Sequence, residues 1–176
     1  MQKTSFIILL VLATFFSAKA QTSQGSMTVG GDVGVQSTSV SGGGSSTSTS
    51  FSPSFGYFIK DKFLLGAALG VTNTTTSGGP TTNAFSITPF VRFYKFTAEE
   101  KFAFFLHGGV GYSTQTGQNG VVSINVRPGF AYFFTPHWGL DFLLPGLTYS
   151  NGNNTTDFGL TASLSPTIGF RYYFGK

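Results

Sequence analysis

Residues 160–174 read LTASLSPTIGFRYYF. Counting by twos puts Leu160, Ala162, Leu164, Pro166, Ile168, Phe170, Tyr172 and Phe174 on one face. The other face carries Thr161, Ser163, Ser165, Thr167, Gly169, Arg171 and Tyr173. Successive side chains of a strand point to opposite faces, so the stretch reads as one long strand with an apolar and a polar side. It exceeds the roughly 5–6 residues of an ordinary soluble strand.

Seven earlier segments repeat this alternation: 27–40, 50–60, 63–72, 84–95, 102–113, 121–134 and 137–149. Their apolar faces carry, for example, Phe51, Phe55 and Tyr57; Leu65 and Leu69; Ile87, Val91 and Phe93; Phe104 and Leu106. The connections alternate in kind. Four are polar and long: SGGGSSTSTS, TNTTTSGGPTTN, TQTGQNG and NGNNTTD. Three are tight or charged: Lys60 to Lys62, Thr97 to Lys101, and Thr135 to His137. Eight strands joined alternately by loops and turns predict an all-β fold, a closed eight-stranded antiparallel up-and-down barrel. Pro53, Pro89, Pro128 and Pro166 recur at one place in every second strand, which marks a hairpin repeat. Proline removes a ladder donor, so a local bulge is expected at each.

The parity decides what the barrel faces. The apolar face holds the bulk of the Leu, Val, Ile and Phe. The opposite face holds glycines together with Asp32, Arg92, His107, Arg127, Asp141 and Arg171. A soluble exterior would carry many lysines and glutamates, and these strands carry almost none. Lipid outside and a polar lumen inside follow, with Arg127 and Asp141 expected as a structural ion pair in the lumen. An eight-stranded lumen is only wide enough for side chains. Asp32 and Arg171 fall on the first and last strands, so closure is expected to bring them together across the seam. Aromatics gather near the strand ends, and Tyr132, Phe134, Trp138, Tyr172 and Phe174 are read as part of an interfacial girdle.

The terminal stretch resembles the closing strand of Gram-negative outer-membrane β-barrels, which alternates and ends in an aromatic, usually Phe. Here Gly175 and Lys176 follow that Phe. The whole chain after its leader resembles the small eight-stranded OmpA/OmpX-like type. The resemblance implies an integral outer-membrane protein with extracellular loops and both termini periplasmic. It also implies outer-membrane lipid around it, and recognition by the barrel-assembly machinery through the C-terminal strand.

The N-terminus reads separately. Lys3 precedes an apolar run from Phe6 to Phe16, and Ala18-Lys19-Ala20 offers the small residues a signal peptidase requires. Residues 1–20 are therefore expected to be a cleaved signal peptide, 21–26 a short N-terminal lead, and 27–176 the barrel domain. Without Lys3 and Lys19, eight basic residues face six acidic ones. That balance, with no basic cluster, argues against nucleic acid. The chain has no cysteine, which excludes disulfides and thiolate metal sites. Two distant histidines, His107 and His137, supply neither a metal site nor an evident Ser-His-acid arrangement, so no enzyme, cofactor or metal is expected. The reading that remains is a monomeric structural or surface-interaction barrel, with an unidentified ligand for its loops if any. A narrow porin-like channel and a secreted lipocalin-like ligand-binding barrel are the alternatives.

Overall fold

The computed structural model describes residues 22–39, 44–98, 100–152, 155–160 and 167–175, with the side chains of Thr38 and of 155–160 excepted. The segment 1–20, Leu164 and Pro166 lie outside the described residues, so the signal and the fourth proline of the repeat are not placed.

Ten strand segments are described: β1 Met27–Ser39, β2 Ser45–Lys60, β3 Phe63–Thr76, β4 Thr82–Phe96, β5 Phe102–Gln115, β6 Val121–Phe133, β7 Trp138–Leu143, β8 Leu147–Gly152, β9 Thr155–Leu160 and β10 Thr167–Phe174. Together they form eight barrel strands. β7 and β8 are two halves of the seventh, and β9 and β10 belong to the eighth. Each neighbouring pair is antiparallel, and β1 with β10 and β5 with β6 complete the ring. A closed ring leaves no free edge, the condition for a sheet to stand in hydrocarbon.

The outward face is the one the alternation assigns. Phe104 is 62% exposed and Leu106 53%, with Val33, Leu65, Leu69, Phe85 and Ile168 similarly open. Such a continuous apolar belt far exceeds what a soluble surface carries, and it is stable only against lipid. Leu140 is only half-buried because Tyr132 and Phe170 flank it on the neighbouring strands.

Three expectations are corrected. The polar connections are mostly strand, not loop. β2 begins at Ser45 and pairs in register to Ser46↔Thr76, and β3 with β4 runs out to Thr74↔Thr82. Ser and Thr continue the ladders beyond the apolar belt, and the tips shrink to short turns with Gly78 and Gly117 at positive φ. There glycine avoids the Cβ penalty of the left-handed region.

The prolines do not each produce a bulge. At Pro53 and Pro89 the ladder to the following strand drops two pairs and resumes in the same register. One lost donor is bridged by intact pairs on either side, and the rings point outward. Of the three described repeat prolines only Pro128 adjoins a bulge, and the bulge lies in the neighbouring strand. Val126 pairs with Leu147 and Gly129 with Leu143, so Leu144, Pro145 and Gly146 face two residues of β6.

That bulge is the third correction, because the seventh strand is not continuous. Leu144 points outward, but beyond the break Leu147 and Tyr149 do so, a change of parity that an extra residue imposes. The amide of Leu144 still reaches the Pro128 carbonyl at 2.9 Å.

Candidate functional site

The lumen is built in three tiers. Nearest the short turns is an aromatic plug. Phe58, Leu64, Phe90, Tyr94, Phe105, Phe133 and Tyr173 are all nearly or fully buried inside the barrel. Their rings interlock: Tyr94 and Phe105 are 5.5 Å apart, Phe133 and Tyr173 5.1 Å. Glycines on adjacent strands make the room. A Cβ at Gly129 would stand 2.3 Å from Phe105 Cζ, and one at Gly66 2.5 Å from Phe90 Cζ.

Parity, not position along the strand, places these rings inside. Phe58, Tyr94 and Phe133 lie near the short turns and look like girdle residues on position alone. Each is five residues after a repeat proline, whereas the outward aromatics are an even number away. The polar face is thus polar only over part of its height.

The backbone locks this tier. The amides of Tyr94, Phe133 and Tyr173 donate to the carbonyls of Lys62, Lys101 and His137 at 2.7–2.8 Å. The lead at residues 22–26 joins in: Phe58 N–H donates to Ser26 O, Gly25 N–H to Phe58 O and Lys62 N–H to Thr22 O. Thr22, Ser26 and Thr28 are buried as a result.

The middle tier is the charge layer. Asp141 is 1% exposed, and its Oδ2 takes two guanidinium groups: Arg171 Nε at 2.8 Å and Arg92 Nη1 in a short contact. Arg92 Nε donates to His107 Nδ1 at 3.0 Å, so His107 is an acceptor there. The Arg92 guanidinium also lies over the Phe105 ring at 4.6 Å, a cation–π contact with the plug. Arg171 Nη1 donates to Ser54 at 3.0 Å.

Asp32 and Arg171 meet across the seam as charges, Oδ1 to Nη2, at 3.8 Å. That is longer than a hydrogen bond. The strands pair Gly30 with Arg171 and Asp32 with Gly169, so the two side chains approach diagonally. A Cβ on Gly169 would be 2.1 Å from Asp32 Oδ1; glycine is what lets the carboxylate lie there.

Arg127 does not take the partner expected of it. Asp141 is occupied by Arg92 and Arg171. Arg127 instead donates from Nε to Leu144 O at 2.9 Å and from Nη2 to Leu143 O at 3.3 Å, with Thr167 Oγ1 at 3.5 Å. Both carbonyls stand at the bulge. Sequence reading missed this role because nothing marks a bulge at Leu144-Pro145-Gly146 except the Pro-Gly pair itself.

The third tier, toward the long connections, is a cavity of about 540 Å³. Its walls carry hydroxyls and amides, among them Ser50, Thr88, Asn125 and Thr148, beside apolar side chains such as Val35 and Ala68. Its floor is the charge layer, with Asp32, Arg92, His107 and Arg127 reaching it. The loop-side half of the barrel is therefore an open vestibule and the turn-side half is filled.

On the outer surface Trp138 stacks 4.6 Å from Phe170 and meets Tyr172 edge-on at 4.7 Å; Phe174 meets Tyr172 likewise. Phe134 stacks on Phe170 at 5.9 Å, and Tyr132 on Phe102 at 4.8 Å. His137 lies against Tyr172 at 5.6 Å, and its Nδ1 is 3.0 Å from Tyr173 O. Near the other end of the belt stand Phe51, Phe85 and Tyr112. From Phe85 to Phe93 is roughly 26 Å of strand, or roughly 20 Å along the axis of a barrel tilted about 40°. That approaches the ~25 Å apolar band of outer-membrane barrels.

A closed, apolar-outside, antiparallel eight-stranded barrel with interfacial aromatics is a membrane barrel. The outer membrane protein beta-barrel domain family matches residues 6–174, and the chain belongs to that family. It is an integral outer-membrane β-barrel. Solved structures share the fold at low identity. Neisserial surface protein A is 20% identical, with 87% of this chain and all of that chain covered and a TM-score of 0.57. The N-terminal β-barrel domain of Pseudomonas aeruginosa OprF is 16% identical over 86% of this chain and 98% of that one, TM-score 0.54. The outer membrane protein OprG of Pseudomonas aeruginosa is 13% identical over 89% and 99%, TM-score 0.51. No curated protein sequence matches the chain.

Proposed function

We propose that the protein is a closed structural or surface-interaction barrel of the outer membrane, working as a monomer and neither a channel nor an enzyme. The observation that carries this is the aromatic plug: Phe58, Tyr94 and Tyr173 have no exposed surface, and they fill the lumen on the turn side. A solute entering the vestibule meets a charge layer and then packed rings. The porin-like alternative would need that plug to leave. The lipocalin-like alternative would need an apolar interior cavity and a soluble exterior, whereas charged groups and hydroxyls share the lining of this one and its outer face is apolar.

The same reading puts residues 1–20 in a cleaved signal peptide and both termini in the periplasm. The polar strand extensions then project outside the cell. The alternation of β10 ending at Phe174 supports recognition by the assembly machinery. Support for a non-enzymatic role comes from the histidines. His107 Nδ1 is held by Arg92, and His137 Nδ1 lies by a backbone oxygen.

Two measurements test the reading. In planar bilayers the refolded barrel is expected to show no regular conductance steps, and steady steps would overturn the closed lumen. An epitope tag inserted at Gly78 is expected to be reachable by antibody on intact cells; labelling only after outer-membrane permeabilisation would reverse the orientation.

A further inference from the structure

The charge layer does not balance. It contains three guanidinium groups, on Arg92, Arg127 and Arg171, and two carboxylates, on Asp32 and Asp141. His107 accepts from Arg92 through Nδ1 and so adds no charge there. The ion pairs assign the excess. Arg92 is paired with Asp141, and Arg171 with Asp141 and Asp32. Among the described residues no carboxylate stands within 4.0 Å of Arg127.

Among the described side chains the other carboxylates are few. Asp61 and Glu100 fall in the connections of the short-turn end. Asp157 pairs by backbone with Ser150, level with Ser123. That is four residues beyond Arg127 on β6, roughly 13 Å at the rise of a strand. Asp141 is bonded to Arg171 and Arg92, and Asp32 stands nearest Arg171, at 3.8 Å.

Arg127 is also the cation that borders open space. It is half-buried and lines the vestibule, while Nε and Nη2 hold the Leu143 and Leu144 carbonyls. Nη1 has no hydrogen-bond partner among the described residues. A guanidinium so fixed presents its remaining donors in one direction, which is how arginine recognises a carboxylate. A half-desolvated cation with no carboxylate in contact carries an electrostatic cost that a bound anion lowers.

We propose that the vestibule is a binding site for a small hydroxylated carboxylate, with Arg127 as its counter-charge. The excess of one positive charge matches a monoanion. The walls supply hydroxyl and amide partners, from Ser50, Thr88, Asn125 and Thr148, for a polyol chain. About 540 Å³ lies within the ~300–1,000 Å³ of small-molecule sites. The site depends on the barrel interior and not on which compartment the loop end meets, so it stands or falls separately from the orientation and conductance tests.

The test is a titration of the full barrel in zwitterionic lipid nanodiscs, following the Arg127 Nε–H resonance by NMR at constant chloride. The probes are sodium gluconate, sodium acetate and glucose. Gluconate is expected to give a saturable shift. Acetate, with charge but no polyol, should bind roughly tenfold more weakly, and glucose should produce no saturable change. Linear drift with gluconate, or equal saturation by glucose, overturns the proposal.

Arg127→Gln should abolish the site, read then from the Asn125 side-chain amide. That variant also removes the support of the bulge. Asn125→Asp therefore serves as the second variant, keeping Arg127 and placing a carboxylate two residues away on the same face. It is expected to weaken gluconate at least roughly tenfold, about one decade of Kd. Unchanged affinity in a folded Asn125→Asp barrel overturns the assignment to Arg127.

Discussion

Replacing Asp141 by Asn should be the most damaging single change in the charge layer, and the geometry sets its size. Asp141 Oδ2 is shared by Arg92 and Arg171, all three 1% exposed or less. Asparagine keeps the shape and removes the charge. Two buried guanidinium groups then confront each other with only Asp32, 3.8 Å from Arg171 and partly exposed, to offset them. Removing one partner of a buried ion pair typically costs about 3–5 kcal/mol. Asp32→Asn removes a longer contact at a more open site, and about 1 kcal/mol or less is expected. The two carboxylates thus differ by a factor of several although both face the lumen. The assay is urea unfolding in lipid vesicles, followed by tryptophan emission from Trp138, the chain's single tryptophan. A triple change of Asp141→Leu, Arg92→Met and Arg171→Leu should recover much of the loss, because it leaves no charge stranded. If Asp141→Asn costs under about 1 kcal/mol, or no more than Asp32→Asn, then the layer is not a desolvated network and the reasoning fails.

Other outcomes follow from the same geometry. Leu106→Arg, on the lipid face, should cost about 2–4 kcal/mol if it lies near the midplane; a loss within error in vesicle unfolding would place Leu106 outside the hydrocarbon. Gly129→Ala puts a Cβ 2.7 Å from the Phe142 carbonyl and closer still to the Phe105 ring, so overpacking of about 1–3 kcal/mol is expected. Gly108→Ala is its control. The nearest atom there is 3.7 Å away, and a change within about 0.5 kcal/mol should be seen by the same unfolding assay. Tyr94→Ala together with Tyr173→Ala should open the plug, and conductance steps in planar bilayers, absent from the parent, would report it.

The outer surface was legible residue by residue, and the interior only in part. Alternation with a period of two is a local property, so Phe51, Leu65, Ile87, Leu106 and Ile168 declare their face without knowledge of any neighbour. Partner choice inside the lumen is not local. Arg127 and Asp141 share a face and lie on adjacent strands, which makes them a natural pair on sequence grounds. Register decides otherwise, since Asp141 stands opposite Ala131 on β6 and Gly169 on β10. Arg171, two residues along from Gly169, and Arg92 from across the lumen reach it instead. That register is set at the short turn 134–137, on the near side of the bulge, and it puts Asp141 level with a residue four positions from Arg127. The inward aromatics were missed for a different reason. Hydrophobicity alone cannot separate a ring that faces lipid from one that fills a lumen; parity relative to the repeat prolines does.

The bulge ties these features together. In a regular barrel the seventh strand would keep one parity from Trp138 to Tyr149. The Tyr149 ring would then turn into the lumen, where the vestibule now lies. The added residue restores Leu147 and Tyr149 to the lipid side. Arg127 donates from Nε and Nη2 to the Leu144 and Leu143 carbonyls at the bulge, and is thereby held at the cavity wall. The irregular strand therefore accounts for two observations: the Arg127 guanidinium held by backbone carbonyls, and the open space above the charge layer. Deleting Gly146 would straighten the strand with Leu147 and Tyr149 still facing lipid, because Tyr149 would then stand an even number of residues from Trp138, and it would shift the Leu143 and Leu144 carbonyls that hold Arg127. Loss of the saturable gluconate signal in a barrel that still refolds is the expected result.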